Sequence, residues 1–460
     1  MFGAKCFSDR TLGDGRRGFC RSLAPRSAVL RKILPMVLLG LIAGSAVAQK
    51  PPTREEKVRK DKEKAEAEGF WIYNDLPKAM AEAKANGKPI LVVLRCIPCE
   101  ECVKLDDELV DKNPAVRPLL DQYVRVRIVG TNGLDLSLFQ FDYDQSFATF
   151  MLNADGTIYG RFGTRSHRTN WVGDVSVAGL AKALQAGLDL HAGYPKNKEA
   201  LAAKRGSAPL FPTPEKFPSL SAKYTSTINY GGTNVVQSCI HCHQIGDAIR
   251  DTYRAKGEAI PEKVLFPYPH PKSQGLILDP KECATVTSVE PGTTGAKAGF
   301  QAGDKIKTLA GQALVSMADV QWVLNQTPTA GGTLKAEVQR DGKPMTVTLT
   351  LPDGWRRTDD ITWRVSAWGL RRMGTGGMVL ESTDGGLRVK SVGQYGAHAL
   401  AKNSGFKAGD LIVSFDGKTD FKREGDLLVY TVTSRKAGDK VPVVVMRDGK
   451  KVELTLPMQN

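Results

Sequence analysis

Two stretches in the second half of the chain repeat one another. Val286-Thr287-Ser288-Val289 returns as Val389-Lys390-Ser391-Val392, and Ala298-Gly299-Phe300-Gln301-Ala302-Gly303-Asp304 as Ser404-Gly405-Phe406-Lys407-Ala408-Gly409-Asp410. Arg340-Asp341-Gly342-Lys343 returns as Arg447-Asp448-Gly449-Lys450, and Leu351-Pro352 as Leu456-Pro457. Anchors in one order at offsets of 103 to 107 residues mark a duplication. Short alternating runs between glycine turns make each copy a β-rich module.

The duplication leaves more than half of the 460 residues to other units, so about two to four domains are expected. With 41% hydrophobic and 25% charged residues, neither a disordered chain nor a polytopic membrane protein fits. Residues 1–48 read as a secretory signal peptide: Arg16, Arg17, Arg21, Arg26, Arg31 and Lys32 precede the apolar run 33–44, and Ala46-Val47-Ala48 supplies small cleavage-site residues. A retained anchor is the alternative, and Arg16-Arg17 also suits a twin-arginine signal. The expectation is a periplasmic or otherwise exported protein with no stable membrane span after signal removal. Of the net charge of +15, the signal's eight basic and two acidic residues account for six, leaving a diffuse excess that suits solubility or an anionic surface and no nucleic acid. Export also places the thiols where disulfide chemistry is permitted.

Residues 49–69 are rich in Lys and Glu and read as a solvated helix or linker. From 70 to 194 helical and strand patterns alternate. Leu76–Ala85 has helical spacing, Pro89–Leu94 is a buried strand, and a helix begins near Glu100. Strands are expected at Tyr123–Val129, Phe147–Asn153 and Thr157–Phe162, then a helix at Val177–Leu190. Residues 206–274 are rich in Pro, Ser, Thr and Tyr and show little periodicity.

Two cysteine clusters carry the chemistry. Cys96-Ile97-Pro98-Cys99-Glu100-Glu101-Cys102 holds two overlapping C-x-x-C pairs, open to dithiol exchange, a permanent disulfide or a metal site using all three thiols. Cys239-Ile240-His241-Cys242-His243 is a C-x-x-C-H sequence, the attachment motif of covalent c-type haem. Cys239 and Cys242 would be the thioether anchors and His243 the proximal ligand. A zinc site from Cys239, His241, Cys242 and His243, or a simple disulfide, is the alternative. Residues 206–275 contain no methionine, so His270 is the candidate distal ligand, ahead of His191.

Each repeat resembles a PDZ domain of the periplasmic protease type, over 275–352 and 362–458. That resemblance implies binding of an extended peptide or protein partner, whose terminal carboxylate would meet backbone amides at Gln274-Gly275-Leu276-Ile277 and Trp368-Gly369-Leu370. No Gly-x-Ser-x-Gly elbow occurs, which argues against a serine hydrolase. Residues 70–205 resemble a thioredoxin-like domain. In such chains the first active cysteine lies ten residues after the Lys-Pro that opens the strand, so Lys88-Pro89 implies Cys99 and Cys102 as the catalytic pair.

A thiol at a helix N-terminus is stabilised as thiolate, which suits Cys99 as the attacking group and Cys102 as the resolving one. Glu100 and Glu101 oppose that effect and make the pair more reducing. The chain departs from the family pattern at Pro98, where Trp is usual, and at Ala148, where the cis-proline is usual.

As a whole the sequence resembles a bacterial family of thioredoxin-like, PDZ domain-containing proteins, some of them selenoproteins. The resemblance rests on the two cysteine motifs, Tyr268-Pro269 leading into Gly275-Leu276, and Gly354-Trp355-Arg356 with Thr362-Trp363-Arg364. It implies a multidomain fold: an α/β thioredoxin-like domain, a short haem-binding segment and two PDZ-like β-rich domains. The expected function combines thiol–disulfide exchange with a redox partner, haem electron transfer and partner binding. The rival expectation is a non-enzymatic peptide-binding scaffold stiffened by a metal or a disulfide.

Overall fold

The computed structural model describes residues 51–96, 113–145, 147–168 and 173–459. The signal segment 1–48, Cys99 and Cys102 lie outside the described residues. The first unit runs α1 (Arg54–Glu68), β1 (Ile72–Tyr73), α2 (Leu76–Asn86), β2 (Ile90–Arg95), β3 (Val124–Val129), β4 (Phe147–Leu152), β5 (Ile158–Phe162) and α3 (Val177–Ala192). Its sheet has the order β1-β3-β2-β4-β5, with β1, β3 and β2 parallel and β4 and β5 antiparallel.

The apolar run of β2 places it at the centre of that sheet, because a strand covered on both faces cannot alternate with polar residues. Ile90, Val92 and Leu94 face Ala79 and Ala83 of α2, while Leu91 and Val93 face Leu180, Ala183 and Leu184 of α3. These elements fall where the sequence pattern put them.

Two segments differ from expectation. The charged stretch 54–68 is a docked helix, not a solvated one: Val58 and Ala65 are buried. Arg59 donates to the carbonyls of Tyr230 and Gly232, and Asp61 pairs with Arg95 at the end of β2. Its polar residues hold it down, so a search for an apolar stripe misses it. The stretch 206–274 is also more ordered than its composition suggests. It contains α4 (Val235–Ser238) and α5 (Cys242–Ala255), and Phe217, Leu220, Ile240, Ile245 and Ala248 complete the core on the α2 face of the sheet.

The duplicated modules follow. The first has β6 (Leu276–Leu278) paired with β7 (Val286–Val289), and a sheet of β8 (Lys305–Leu309), β9 (Gln312–Ala313), β10 (Gly332–Arg340) and β11 (Lys343–Leu351), with α6 (Met317–Gln326). The second has α7 (Ala367–Thr375), then β12 (Val379–Thr383), β13 (Gly386–Ser391), β14 (Leu411–Phe415), α8 (Glu424–Ser434), β15 (Lys440–Arg447) and β16 (Lys450–Pro457).

The repeated residues have one job in both copies. Arg340 forks onto Asp304 at 2.6 and 2.7 Å and donates to the Gly299 carbonyl, and Arg447 does the same to Asp410 and Gly405. A bidentate guanidinium–carboxylate pair ties the Gly-Asp turn to the last hairpin. Asp341-Gly342 and Asp448-Gly449 turn those hairpins with positive φ at both residues, as a tight two-residue β-turn needs.

The first module and the thioredoxin-like unit share a buried interface. Every residue from Met317 to Asn325 on α6 is buried. Asp319 accepts from Lys204 Nζ at 2.8 Å, Arg161 N at 3.2 Å and Val315 N at 3.0 Å, and the Trp322 indole donates to the Ala203 carbonyl. Removing one partner of a buried ion pair strands the other. Asp319→Ala should therefore lower the stability of the unit by about 3–5 kcal/mol in urea unfolding, and a loss below about 1 kcal/mol would show that the interface does not depend on this carboxylate.

Candidate functional site

The site forms where β2 and β3 end. After β3 the loop at Gly130–Asn132 grips the backbone of Ile240 from both sides. Thr131 donates to the Ile240 carbonyl through its N–H (2.8 Å) and its hydroxyl (3.0 Å), and Asn132 Oδ1 accepts from Ile240 N (2.8 Å). The Asn132 amide also donates to the carbonyls of Ser238 and Thr225. Glu55 of α1 accepts from the N–H groups of Val235 and Val236 at the start of α4. The Cys239–His243 segment is thereby held at the strand ends.

The consequence is a contact between the two cysteine motifs: Cys96 Sγ, directly after β2, lies 3.0 Å from His241 Nδ1. Gln244 accepts from His241 N at 2.8 Å and donates to the Tyr224 hydroxyl, fixing the start of α5. The His241 and His243 rings stack in parallel with centroids 5.9 Å apart. Burial, with His243, Arg54 and Lys223 nearby adding to it, pushes His241 down to about 4, so its ring is neutral at neutral pH and can accept the Cys96 S–H. His241 was read from sequence only as an optional zinc ligand; its place beside Cys96 depends on the loop after β3, which no local pattern announces.

The other motif residues point apart. Cys239 is buried, its thiol donates to the Val235 carbonyl at 3.4 Å, and burial beside Glu55 pushes it up to about 11. Cys242 opens α5 and packs in the core with Phe217, Ile245 and Ala248. His243 is half-exposed, its Nδ1 3.6 Å from Asp247. Covalent haem needs both sulfurs and the imidazole on one open face. As packed, these residues do not fit it.

His270 is buried elsewhere: its Nδ1 accepts from Lys272 N, its Nε2 lies 3.4 Å from Asp174, and its backbone N–H faces Asp359. His191 bonds the Tyr159 hydroxyl and faces the Gly87 carbonyl. Among the described residues no three His, Cys, Asp or Glu side chains converge as a metal site requires. Ala148 sits on β4 opposite Leu94.

In the first module Gly275 (φ 77°), expected at the carboxylate loop, precedes β6, and its carbonyl accepts from Glu290 N. In the second, Gly369 and Leu370 do not form such a loop. They lie inside α7, and Leu370 is buried against Leu428 and Val432. The equivalent of Gly275 is Gly377 (φ 88°), whose carbonyl accepts from Gly393 N and where a Cβ would strike the His398 carbonyl. It lies 102 residues after Gly275, one short of the smallest offset between the repeat anchors, whereas the Gly-Leu pair at 369 lies within a helix.

The first module's groove would lie between β6 and α6, and Met317–Asn325 of α6 are all buried, between the module's own core and the thioredoxin-like unit. In the second module Glu424, held by Arg371, accepts from Leu380 N on the edge strand β12. A hollow of about 410 Å³ beside Gly377 is lined by Trp368, Val379, Tyr395 and His398, with Tyr395 85% exposed.

A depressed imidazole has a pH signature. As pH falls from 6.5 towards 4, the unfolded chain takes up a proton on His241 that the folded chain refuses, so stability is lost through that window. The melting temperature of the parent protein should drop more steeply there than that of His241→Gln. Equal slopes would mean that the ring titrates freely.

Residues 71–154 match a family model described as thioredoxin-like, and residues 272–351 and 376–458 match that of the PDZ domain. Over 141 residues the chain is 30% identical to the periplasmic serine endoprotease DegP of Salmonella typhimurium, covering 31% of this chain and 28% of that one. It thus spans less than a third of that relative's length. Among solved structures, the HtrA-type protease AlgW with decapeptide aligns at 15% identity over 28% of this chain and 49% of its own, with a TM-score of 0.18. An aminopeptidase N family protein from Idiomarina loihiensis aligns at 20% identity over 18% and 13%, with a TM-score of 0.14. The chain carries a thioredoxin-like domain followed by two PDZ domains, modules of the class that binds peptides or proteins.

Proposed function

We propose that the chain is an exported thiol–disulfide exchange protein whose reactive thiols follow β2 and whose second PDZ domain holds a partner protein. The observation that supports this reading is the 3.0 Å contact between Cys96 Sγ and His241 Nδ1, which joins the two cysteine motifs at one strand end. The Cys99 thiolate attacks a partner disulfide, forming a mixed disulfide and releasing one partner thiolate. Cys102 then attacks the Cys99 sulfur, closing their disulfide and releasing the second thiolate. Two electrons pass to the partner, and an exported dithiol reductant restores the pair. His241 acts as a positioning residue: its neutral ring accepts the Cys96 S–H and steadies the segment from which the pair departs.

The partner docks at the hollow beside Gly377, because α6 seals the groove of the first domain. Trp368→Ala or Tyr395→Ala should weaken its binding about tenfold or more, as loss of an aromatic anchor does.

The decisive measurement is reduction of insulin disulfides by the mature protein. Cys99→Ser should abolish it, and undiminished turnover in that variant would remove the thiol assignment and favour a scaffold. His241→Ala should lower the rate and change its pH profile. Protein exported from a haem-maturing host would decide the haem reading. Covalent absorbance bands that survive denaturation would require Cys239 and Cys242 to leave the packing described above.

A further inference from the structure

A cavity of about 290 Å³ lies where α5, the thioredoxin-like unit, the segment before β6 and the end of α6 meet. Its walls are mainly apolar and aromatic, with Phe141, Tyr143, Ile249, Tyr253, Val264 and Tyr268 contributing. That size and lining suit a small organic molecule.

Two cations reach the same space, Arg250 and Lys263. Arg250 is only 4% exposed; its Nη2 bonds Asp247, an acid outside the cavity wall, and a guanidinium has further N–H donors to offer. Lys263 is exposed at the rim, and its ammonium lies 3.4 Å from the amide oxygen of Gln326. Burial, with Arg356 nearby, pushes its pKa down, so an anion arriving there would relieve an unfavourable charge.

Asp142 and Asp144 also line the cavity, but both are already engaged. Asp142 accepts from Arg364 Nη1 at 2.6 and 2.7 Å, and Asp144 accepts from the N–H and the hydroxyl of Ser366, each at 2.9 Å. The charged groups left for a ligand are therefore cationic.

We propose that this cavity is a binding site for a small apolar organic anion, an aromatic or branched carboxylate or sulfonate. The body packs among the aromatic walls and the head meets Arg250 and Lys263, the guanidinium supplying directional hydrogen bonds and the ammonium a point charge. The site is independent of the thiol chemistry, although it lies along the helix that Cys242 opens.

The test is a fluorescence titration of the mature protein with anilinonaphthalene sulfonate, set against its uncharged analogue phenylnaphthylamine. One saturable site is expected, with the anion bound about tenfold or more tighter than the neutral compound. Lys263→Gln, at an exposed position, should weaken the anion and leave the neutral analogue unchanged. Ile249→Trp should fill the cavity and abolish both signals while circular dichroism stays native. Equal affinity for the two compounds, or anion binding that Lys263→Gln does not weaken, would overturn the proposal. If Ile249→Trp fails to fold, the Lys263→Gln comparison decides alone.

Discussion

The Asp319 carboxylate is the charge on which the arrangement of the molecule turns. It sits on a helix of the first PDZ domain and is neutralised from the other side of the interface, by Lys204 and by the backbone of Arg161. A carboxylate this deeply buried is tolerated only when paired and hydrogen-bonded, so the two units cannot separate without stranding it. With α6 pinned in this way, Trp322 closes over Arg161 and donates to Ala203, and no face of the helix is left for a peptide. A module duplicated from a binding fold is thus used as a wall.

A second constraint works where β2 and β3 end. Backbone groups of a segment without a strand partner must be satisfied somewhere, and Ile240 finds its partners in Thr131 and Asn132. Those bonds set the phase of the Cys239–His243 stretch. His241 is directed to Cys96, Cys242 to the core and Cys239 to Val235. Shifting the segment by one residue would exchange these roles, so the loop after β3 specifies the chemistry as firmly as the cysteines do.

Much of the fold was legible because it rests on local rules. The run at Pro89–Leu94 could only be a strand buried on both faces, and the paired Gly-Asp and Arg-Asp-Gly-Lys anchors mark a bidentate tie in each copy. The docking of α1 and of 206–274 was not legible, because both are held by long-range polar contacts: Glu55 on the start of α4, Asp61 on Arg95, Asn132 on Ile240. The expected carboxylate loop of the second module at Gly369-Leu370 gives way to a helix for a related reason. A Gly-Leu pair resembles its counterpart at 275, but it falls within a helix whose Leu370 faces a core built by α8. The backbone criterion, positive φ at a glycine whose carbonyl closes the first hairpin, selects Gly377 instead.

The same lesson bears on the C-x-x-C-H motif. Its spacing states which atoms are close along the chain, and says nothing of which face they share in space. At a helix start, residues three apart point alike only if the first is already helical; Cys239 is extended, before the helix, while Cys242 is within it. The extended step at Cys239 and His241 turns the first thiol away from the second and leaves His243 half-exposed beside Asp247. What that geometry serves instead is the neutral imidazole between the motifs. A ring desolvated enough to stay unprotonated near neutrality, held by a backbone clamp and stacked on its neighbour, lies 3.0 Å from Cys96 Sγ.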